Sequence, residues 1–434
     1  MISVLIFTVV ALTGILLFTV NVRKIRRNIL IGKFVDLTSQ RKERMATMLR
    51  VAFGQKKMMT RPIPAILHLF VYVGFILINF EVLEMFTDGL LHTHRAFSFL
   101  GSLYNWMIAF FEVLAFLVTF GCALFLIRRN VIRIARFRSP ELKGWPRSDA
   151  NIILCSEIIL MSALFIMNAA DQVLQKSVPE YIVTGAFPIS SFLVPLLTNL
   201  STGSLIVIER SCWWVHLIGI FAFMNYLPYS KHFHIILAFP TTWFSNLNPL
   251  GKFNNLDAVT DVVKPNFDPG HLVAENSGEV KRFGAKDVSD LTWKQLLDAY
   301  TCTECGRCSS VCPQNITGKK LSPRKIMMDT RDRLQEVGRI MDSNGGIFKE
   351  DGKSLVGDYI QSEEIWACNT CNACTEECPV NIDPLSIILD LRRYLVMEES
   401  KAPAELNNTF SNIENNGAPW QFPASERANW SREN

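Results

Sequence analysis

The chain has 434 residues, of which 49% are hydrophobic and 19% charged, with 30 phenylalanines and a formal net charge of +4. This composition is too apolar for an ordinary soluble protein of this size, so we expect part of the chain to lie in lipid. The small net charge averages basic loops with a C-terminal half of mixed charge, and it does not indicate nucleic-acid binding.

Apolar residues are concentrated in the first 240 residues, where five segments are long enough to cross a bilayer as helices. These segments are residues 2–20, 63–86, 106–127, 152–170 and 205–227. The first resembles a signal peptide in position, but its basic residues follow the apolar run and no small-residue cleavage site is present. We therefore predict a membrane anchor with its N terminus outside and a transmembrane domain over 1–240.

The loops between these segments differ in charge. Residues 22–62 carry twelve Lys or Arg and two acidic residues, and residues 128–149 carry seven Lys or Arg. By the positive-inside rule both loops are cytoplasmic, and five spans from an outside N terminus place the C-terminal half in the cytoplasm. Attraction to lipid headgroups is a sufficient explanation of the basic residues.

The chain after the last span has the composition of a soluble domain. Residues 241–288 are rich in Asn, Pro, Gly and Asp, which predicts an irregular linker. Helices are predicted over 289–300 and from Ser322 onward. Residues 401–434 are polar and aperiodic, and we predict an extended arm that binds a partner through its aromatic residues. These aromatic residues are Trp420, Phe422 and Trp430.

Eight of the 11 cysteines fall in two copies of the pattern C-x2-C-x2-C-x3-C-P, at residues 302–313 and 368–379. Three thiolates two residues apart can hold three corners of one [4Fe–4S] cubane, whereas the fourth, displaced by the turn before Pro, reaches the other cluster. The predicted ligands are Cys302, Cys305, Cys308 and Cys378 for the first cluster and Cys368, Cys371, Cys374 and Cys312 for the second. Zinc sites usually use two separated C-x2-C pairs, so zinc fits less well. We predict a ferredoxin-like domain over 289–400.

The other three cysteines, Cys122, Cys155 and Cys212, lie in apolar runs. We interpret them as small buried residues of membrane helices.

Six of the seven histidines lie in the membrane half and near the ends of predicted spans. His216 and His234 are 18 residues apart, so they share one face if the helix is continuous. We predict that His68 pairs with His234 near the inner surface, and that His94 or His92 pairs with His216 near the outer surface, as ligands of b-type haem. His232 points the other way in a straight helix, although a bend at Pro228 would exchange it with His234. Each histidine could instead be a packing residue.

The membrane half resembles the haem-b gamma subunit of respiratory nitrate reductase, with five spans and histidines on the second and fifth. The cluster half resembles the two-cluster domain of heterodisulfide-reductase-type proteins, and the fusion is similar to membrane subunits of heterodisulfide-reductase-like and flavoprotein-to-menaquinone oxidoreductases. The gamma-type second helix carries two histidines ten residues apart, whereas this chain has Ile78 and Asn79 near the second position. One haem and two haems therefore both remain open.

The resemblance implies a mainly α protein of a bacterial or archaeal inner membrane, with a five-helix bundle and a cytoplasmic domain that holds two [4Fe–4S] clusters. Its expected function is electron transfer between a cytoplasmic partner, either a cysteine-rich subunit or an electron-transfer flavoprotein, and quinone or menaquinone. Quinone chemistry needs proton exchange, for which buried acids are candidates. These are Glu81, Glu84, Glu112 and Asp171. The alternative is a membrane anchor without haem, whose ferredoxin domain only docks an enzyme.

Overall fold

The computed structural model describes residues 2–268 and 282–432, except for the side chains of residues 257 and 258. Helices supply the regular structure of these residues, and among them there is no strand beyond two isolated backbone bridges. The mainly α fold with a helical membrane half is confirmed.

Among the described residues, five helices are long and apolar enough to cross a membrane. They are α1 (Ile2–Ile29), α2 (Pro62–Leu91), α3 (Ser102–Leu126), α4 (Trp145–Leu174) and α5 (Thr202–Tyr226). Each extends several residues beyond its predicted apolar segment, because a helix continues until its polar ends leave the bilayer. Helix α4 packs along α5, α2 along α3, and α1 against α5 and α2. The core of the bundle contains Phe7, Leu164 and Leu217.

The chain does not continue as one helix beyond α5. Residues Leu227–Tyr229 and Lys231–Phe233 form separate 3-10 turns, joined at Ser230 in extended conformation, before α6 begins (His234–Trp243). Pro228 cannot donate a backbone hydrogen bond, and its ring clashes with the preceding turn. The helix is therefore not continuous from His216 to His234, and their 18-residue spacing does not place them on one helical face.

The C-terminal half is a bundle of three longer helices with short helices between them. The longer ones are α7 (Trp293–Thr301), α8 (Pro323–Ser343) and α9 (Pro384–Met397), and the shorter ones include Arg307–Val311, Pro313–Ile316, Ser362–Trp366 and Ala373–Glu377. The helix predicted over 289–300 begins at Trp293, because Thr292 and Gln295 form a capping box. Helix α8 begins where Ser322 predicted it, with that side chain as N-cap.

Two predicted irregular regions contain helices. In the linker, Asp257–Val263 is helical, and residues 269–281 lie outside the described part. In the tail, α10 (Ala404–Asn416) ends at Gly417 in the left-handed conformation, so an extended arm is wrong for this stretch. The tail's aromatic side chains remain exposed.

The two halves are in direct contact through the first basic loop. Lys33 exchanges backbone hydrogen bonds with Leu291 and Trp293, at 2.7 and 3.0 Å. The Asn28 side chain donates to the Tyr300 hydroxyl at 2.9 Å. The first basic loop therefore lies on the same side of the bundle as the cluster half, and so does the second, whose Arg136 carbonyl oxygen accepts a hydrogen bond from Arg324 at 2.8 Å.

The cysteines outside the motifs lie on α3, α4 and α5. Cys122 is buried and Cys212 partly buried, but Cys155 is exposed on the surface of α4. The prediction that Cys155 is buried is therefore wrong.

Candidate functional site

One cavity in the cluster half brings together cysteines from both motifs. It is lined by Cys312 of the first motif and by Cys368, Cys371 and Cys374 of the second, with Leu321, Leu385 and Ile388 as apolar wall. This is the crossed set predicted for the second cluster. Helix Arg307–Val311 packs against Ala373–Glu377 and thereby carries Cys312 across to the other motif.

The remaining four cysteines form a second group. Burial raises the pKa of the Cys378 thiol to about 12, and the nearby Cys305 and Cys302 thiols add to the rise. Burial also raises the pKa of Cys308 far above its usual value, with further increments from the same thiols and from Cys378. Cys378 therefore lies among the first-motif thiols, as crossing requires.

The backbone of the motif loops points donors at sulfur. The N–H groups of Thr370 and Ile382 donate to Cys368 Sγ and Cys378 Sγ at 3.4 and 3.3 Å. Such hydrogen bonds stabilise thiolates and tune cluster potentials. Among the described residues, no group of three or more His, Cys, Asp or Glu is placed to hold a single metal ion. A cubane spreads its four thiolates over separate irons, so the donor set and cavity fit the cluster.

His68 and His234 face each other at the end of the membrane bundle nearest the clusters. Their ring centroids are 6.5 Å apart, and an iron bonded to one nitrogen of each ring at about 2 Å would separate the centroids by roughly 6 Å. His68 Nδ1 is hydrogen-bonded to Gln55 Oε1 at 3.0 Å, and His234 Nδ1 to the Lys231 carbonyl oxygen at 3.1 Å. These bonds orient both rings with Nε2 available, as second-shell bonds do for metal-bound histidine. The pair therefore fits a six-coordinate haem iron.

His232 lies beside this pair. Its ring makes an edge contact with His234, with centroids 5.4 Å apart, and a tilted contact with Phe223 at 5.5 Å. The break at Pro228 brings His232 close, and of the two rings it is His234 whose Nδ1 is held by the Lys231 carbonyl oxygen.

The predicted outer pair is not assembled. His216 lies in the middle of α5, not near the outer surface, and its Nδ1 is 2.8 Å from the Leu160 carbonyl oxygen. His94 Nε2 instead lies 3.1 Å from Asp171 Oδ1, and its Nδ1 accepts the Ile182 N–H at 3.4 Å. Leu160 and Asp171 are about 16 Å apart along α4. His94 and His216 therefore cannot ligate one iron, because the residues to which they are hydrogen-bonded lie at different depths in the bundle.

The far end of the bundle holds a buried polar cluster around Arg95. The guanidinium donates to Asp171 Oδ2 at 2.8 Å and to Asn168 Oδ1 at 2.7 Å. Glu81 Oε1 is 3.8 Å from Arg95 Nη1, and neither carboxylate oxygen of Glu81 has a hydrogen-bond partner among the described residues. Glu81, Arg95 and Asp171 line a cavity, together with His92 and His94.

The other two candidate acids, Glu84 and Glu112, accept hydrogen bonds from neighbouring groups. Glu84 accepts hydrogen bonds from the Tyr104 hydroxyl and the Phe97 N–H, at 2.7 and 2.8 Å. Glu112 accepts from the Ile189 N–H at 2.9 Å and from Asn168. These contacts give both carboxylates a structural role in holding neighbouring segments together.

Several contributing residues were missed from the sequence. Gln55 and Lys231 orient the histidines, and Glu304 lies between Cys302 and Cys305 with its carboxylate on Lys231. In the sequence, only the position of Lys231 beside His232 pointed to any of these residues. Their partners are distant in the sequence, so no local pattern identifies them.

Comparison with known proteins supports the cluster half most strongly. The 4Fe-4S dicluster domain family matches residues 301–382. Over 27% of its length the chain is 32% identical to one component of a ferredoxin/F(420)H(2)-dependent CoB-CoM heterodisulfide reductase of Methanosarcina acetivorans, covering 60% of that component.

Two relatives match the membrane half as well. Over 99% of its length the chain is 29% identical to a probable iron-sulfur-binding oxidoreductase, FadF, of Bacillus subtilis, and it covers 60% of that protein. Over 87% it is 27% identical to an EtfAB:quinone oxidoreductase of Syntrophomonas wolfei, covering 52% of it. The chain thus spans little more than half the length of these relatives. No solved structure matches it. The chain is an iron–sulfur oxidoreductase-like membrane protein with a 4Fe–4S dicluster domain.

Proposed function

We propose that this chain is the membrane electron-transfer subunit of a quinone-linked oxidoreductase, with two [4Fe–4S] clusters and one b-type haem. One observation carries the proposal. Lys231 binds the first cysteine motif through its ammonium group and His234 through its carbonyl oxygen. The residues that would hold a cluster and those that would hold a haem are therefore joined by a single residue.

The two cysteine groups differ in their access to solvent. The first motif lies against the membrane half, where Arg307 donates to the Lys57 carbonyl oxygen at 3.0 Å. In the second motif Cys371 is exposed. The second cluster is therefore the one that an external redox partner would approach, and the first is the one next to the membrane.

The proposed haem ligands are His68 and His234. When bound, the clusters and the haem supply one-electron chemistry between a soluble donor or acceptor and the membrane. The protein's own contribution is orientation, because Gln55 and the Lys231 carbonyl hold the two rings. Since His216 and His94 are held apart, we propose one haem in place of two.

The far-end cavity is the proposed place of quinone and proton exchange. It lies within a bundle that lipid surrounds, and it combines a cation, Arg95, with a carboxylate, Glu81, that lacks hydrogen-bond partners among the described residues. A buried acid of this kind in a membrane marks a functional site more often than a structural one. We propose that Glu81 exchanges the proton that quinone chemistry requires.

The likeness to an EtfAB:quinone oxidoreductase and to heterodisulfide reductase subunits supports a flavoprotein or cysteine-rich partner. The two basic loops on the cluster side support a cytoplasmic location for that half, by the positive-inside rule. We accordingly propose a multi-pass protein of the bacterial or archaeal inner membrane with its clusters inside.

The haem is tested by the absorbance spectrum of the purified protein. We expect the dithionite-reduced bands of a b-type haem in the wild type, and their loss in His68→Ala and in His234→Ala. His94→Ala is the matched control, because His94 also lies in the membrane half but has both ring nitrogens engaged. Acid-labile sulfide content must remain unchanged in all three variants, because it reports the clusters and not the haem.

Two outcomes contradict the proposal in different ways. Absence of haem bands from the wild type favours the anchor that only docks an enzyme. Loss of the bands in His232→Ala with retention in His234→Ala transfers the ligand role to His232.

A further inference from the structure

The two cysteine motifs fold into the same turn but place different residues in it. Glu304 and Thr370 occupy the second position after the first cysteine of each motif, and both have φ 55°. The left-handed region disfavours residues other than Gly, Asn and Asp. Backbone geometry therefore does not explain a glutamate at position 304, and its side chain must be considered.

The Glu304 carboxylate is buried between two cations. Its side chain is 3% exposed, with Arg331 Nη2 at 2.7 Å from one oxygen and Lys231 Nζ bound to the other. The Thr370 side chain, in contrast, carries no charge, and its hydroxyl donates to the Asn369 carbonyl oxygen at 2.7 Å. A carboxylate at this position is thus particular to the first motif, where it binds Lys231 of the membrane half.

Lys231 connects Glu304 to the histidine pair. Its Nζ also donates to the Pro146 carbonyl oxygen at 2.6 Å, and its backbone N–H donates to Asp149 Oδ2 at 3.1 Å. The Lys231 carbonyl oxygen accepts the hydrogen bond that orients His234. With a side chain only 9% exposed, Lys231 is held at a fixed position between the cluster loop and the membrane helices.

We infer that Glu304 is a positioning residue for the first cluster: its carboxylate neutralises Lys231 and Arg331 beside the cluster and holds the cluster loop against the segment that carries His234. Without it, two buried cations would lie beside the first motif, and the Lys231 ammonium would keep the neutral Pro146 carbonyl oxygen and the more distant carboxylate of Asp149, at 3.9 Å. Positive charge favours the reduced, more negative cluster, so its reduction potential would rise. Electron transfer from the first cluster to the haem rests on the proposed function, but the effect of Glu304 on the reduction potential of the first cluster does not.

The test compares variants that break the same ion pair from opposite sides. Glu304→Gln removes the negative charge and should raise the potential of the first cluster, whereas Lys231→Met removes a positive charge and should lower it. We expect about a tenfold change in the reduced-to-oxidised ratio at a fixed potential, which corresponds to about 59 mV for one electron. A purely structural contact would shift both variants in the same direction.

The measurement is a redox titration of the full-length protein, followed by electron paramagnetic resonance of each cluster. Thr370→Val, at the same position of the second motif, is the matched control and should leave the first cluster's potential unchanged. Glu304→Asp, which keeps the charge, should restore most of the wild-type value. Iron and sulfide contents establish that both clusters are present.

The inference is overturned if Glu304→Gln and Lys231→Met shift the first cluster in the same direction, or if neither shifts it. A wild type without haem would refute the proposed function while leaving this titration interpretable. If haem is present, reduction of the haem by the clusters should also be slower in Glu304→Gln than in Glu304→Asp.

Discussion

The cluster half and the membrane half assemble their chemical groups by different means. In the cluster half, each group of three cysteines lies within seven residues of sequence, and only the fourth comes from the other motif. In the membrane half, the contacts that matter join distant residues, such as His68 with His234 and Arg95 with Asp171.

This difference explains which features can be predicted correctly from the sequence and which cannot. A short loop has few conformations that satisfy its spacing, so a ligand set can be stated from the pattern alone. A pair of residues on separate helices depends on the depth and rotation of each helix, which local sequence does not specify. The predictions below test whether the two halves differ as described, from the largest expected effect to the smallest.

Cys312→Ala should remove a whole cluster, and the one held mainly by the other motif. Because Cys312 lines the cavity of Cys368, Cys371 and Cys374, we expect loss of that cluster and roughly half of the iron. Electron paramagnetic resonance distinguishes the two signals. Cys378→Ala should show the converse loss, and a variant that loses only the cluster of its own motif would refute the crossing.

Asp171→Ala should strongly destabilise the membrane half without changing haem binding at the proposed site. It leaves the buried Arg95 without its main charge partner, which costs about 3–5 kcal/mol for a buried ion pair. Thermal unfolding in detergent measures the loss, and Asp171→Asn, which keeps the size of the side chain, is the control for packing. The folded variant should keep its haem absorbance. If the folded variant lost the haem, His94, which bonds to Asp171, would again be a candidate ligand.

Glu81→Gln should affect turnover and not stability. No hydrogen bond to Glu81 is lost among the described residues, so we expect a change of less than about 1 kcal/mol in unfolding free energy. If Glu81 exchanges protons with quinone, quinone turnover should fall in this variant while reduction of the haem by the clusters continues. Unchanged turnover would remove Glu81 from the proposed site.

Arg61→Ala should have the smallest effect, at the contact between the halves. Arg61 Nη2 lies 2.9 Å from Glu377 Oε1, but Arg307 also pairs with that carboxylate at 3.1 Å. A partly exposed ion pair contributes at most about 1 kcal/mol. Limited proteolysis between the halves measures the weakening, and Lys320→Ala, which breaks an exposed pair within the cluster half, should leave the cleavage rate unchanged.

The sequence by itself determined the features that depend on local composition and spacing. The five apolar segments predict five membrane helices because a bilayer requires about 20 apolar residues in each. The start of α8 at Ser322 and Pro323 follows from a capping residue and a proline at the first helical position.

Only the tertiary structure decided which distant residues meet. The break at Pro228 replaced one straight helix by two turns and brought His232 and His234 to the same place. The packing of α4 on α5 put His216 at mid-depth and left His94 with Asp171. The physical reason is that a helix repeats its faces every few residues, so sequence indicates which residues share a face but not the depth at which a neighbouring helix meets them.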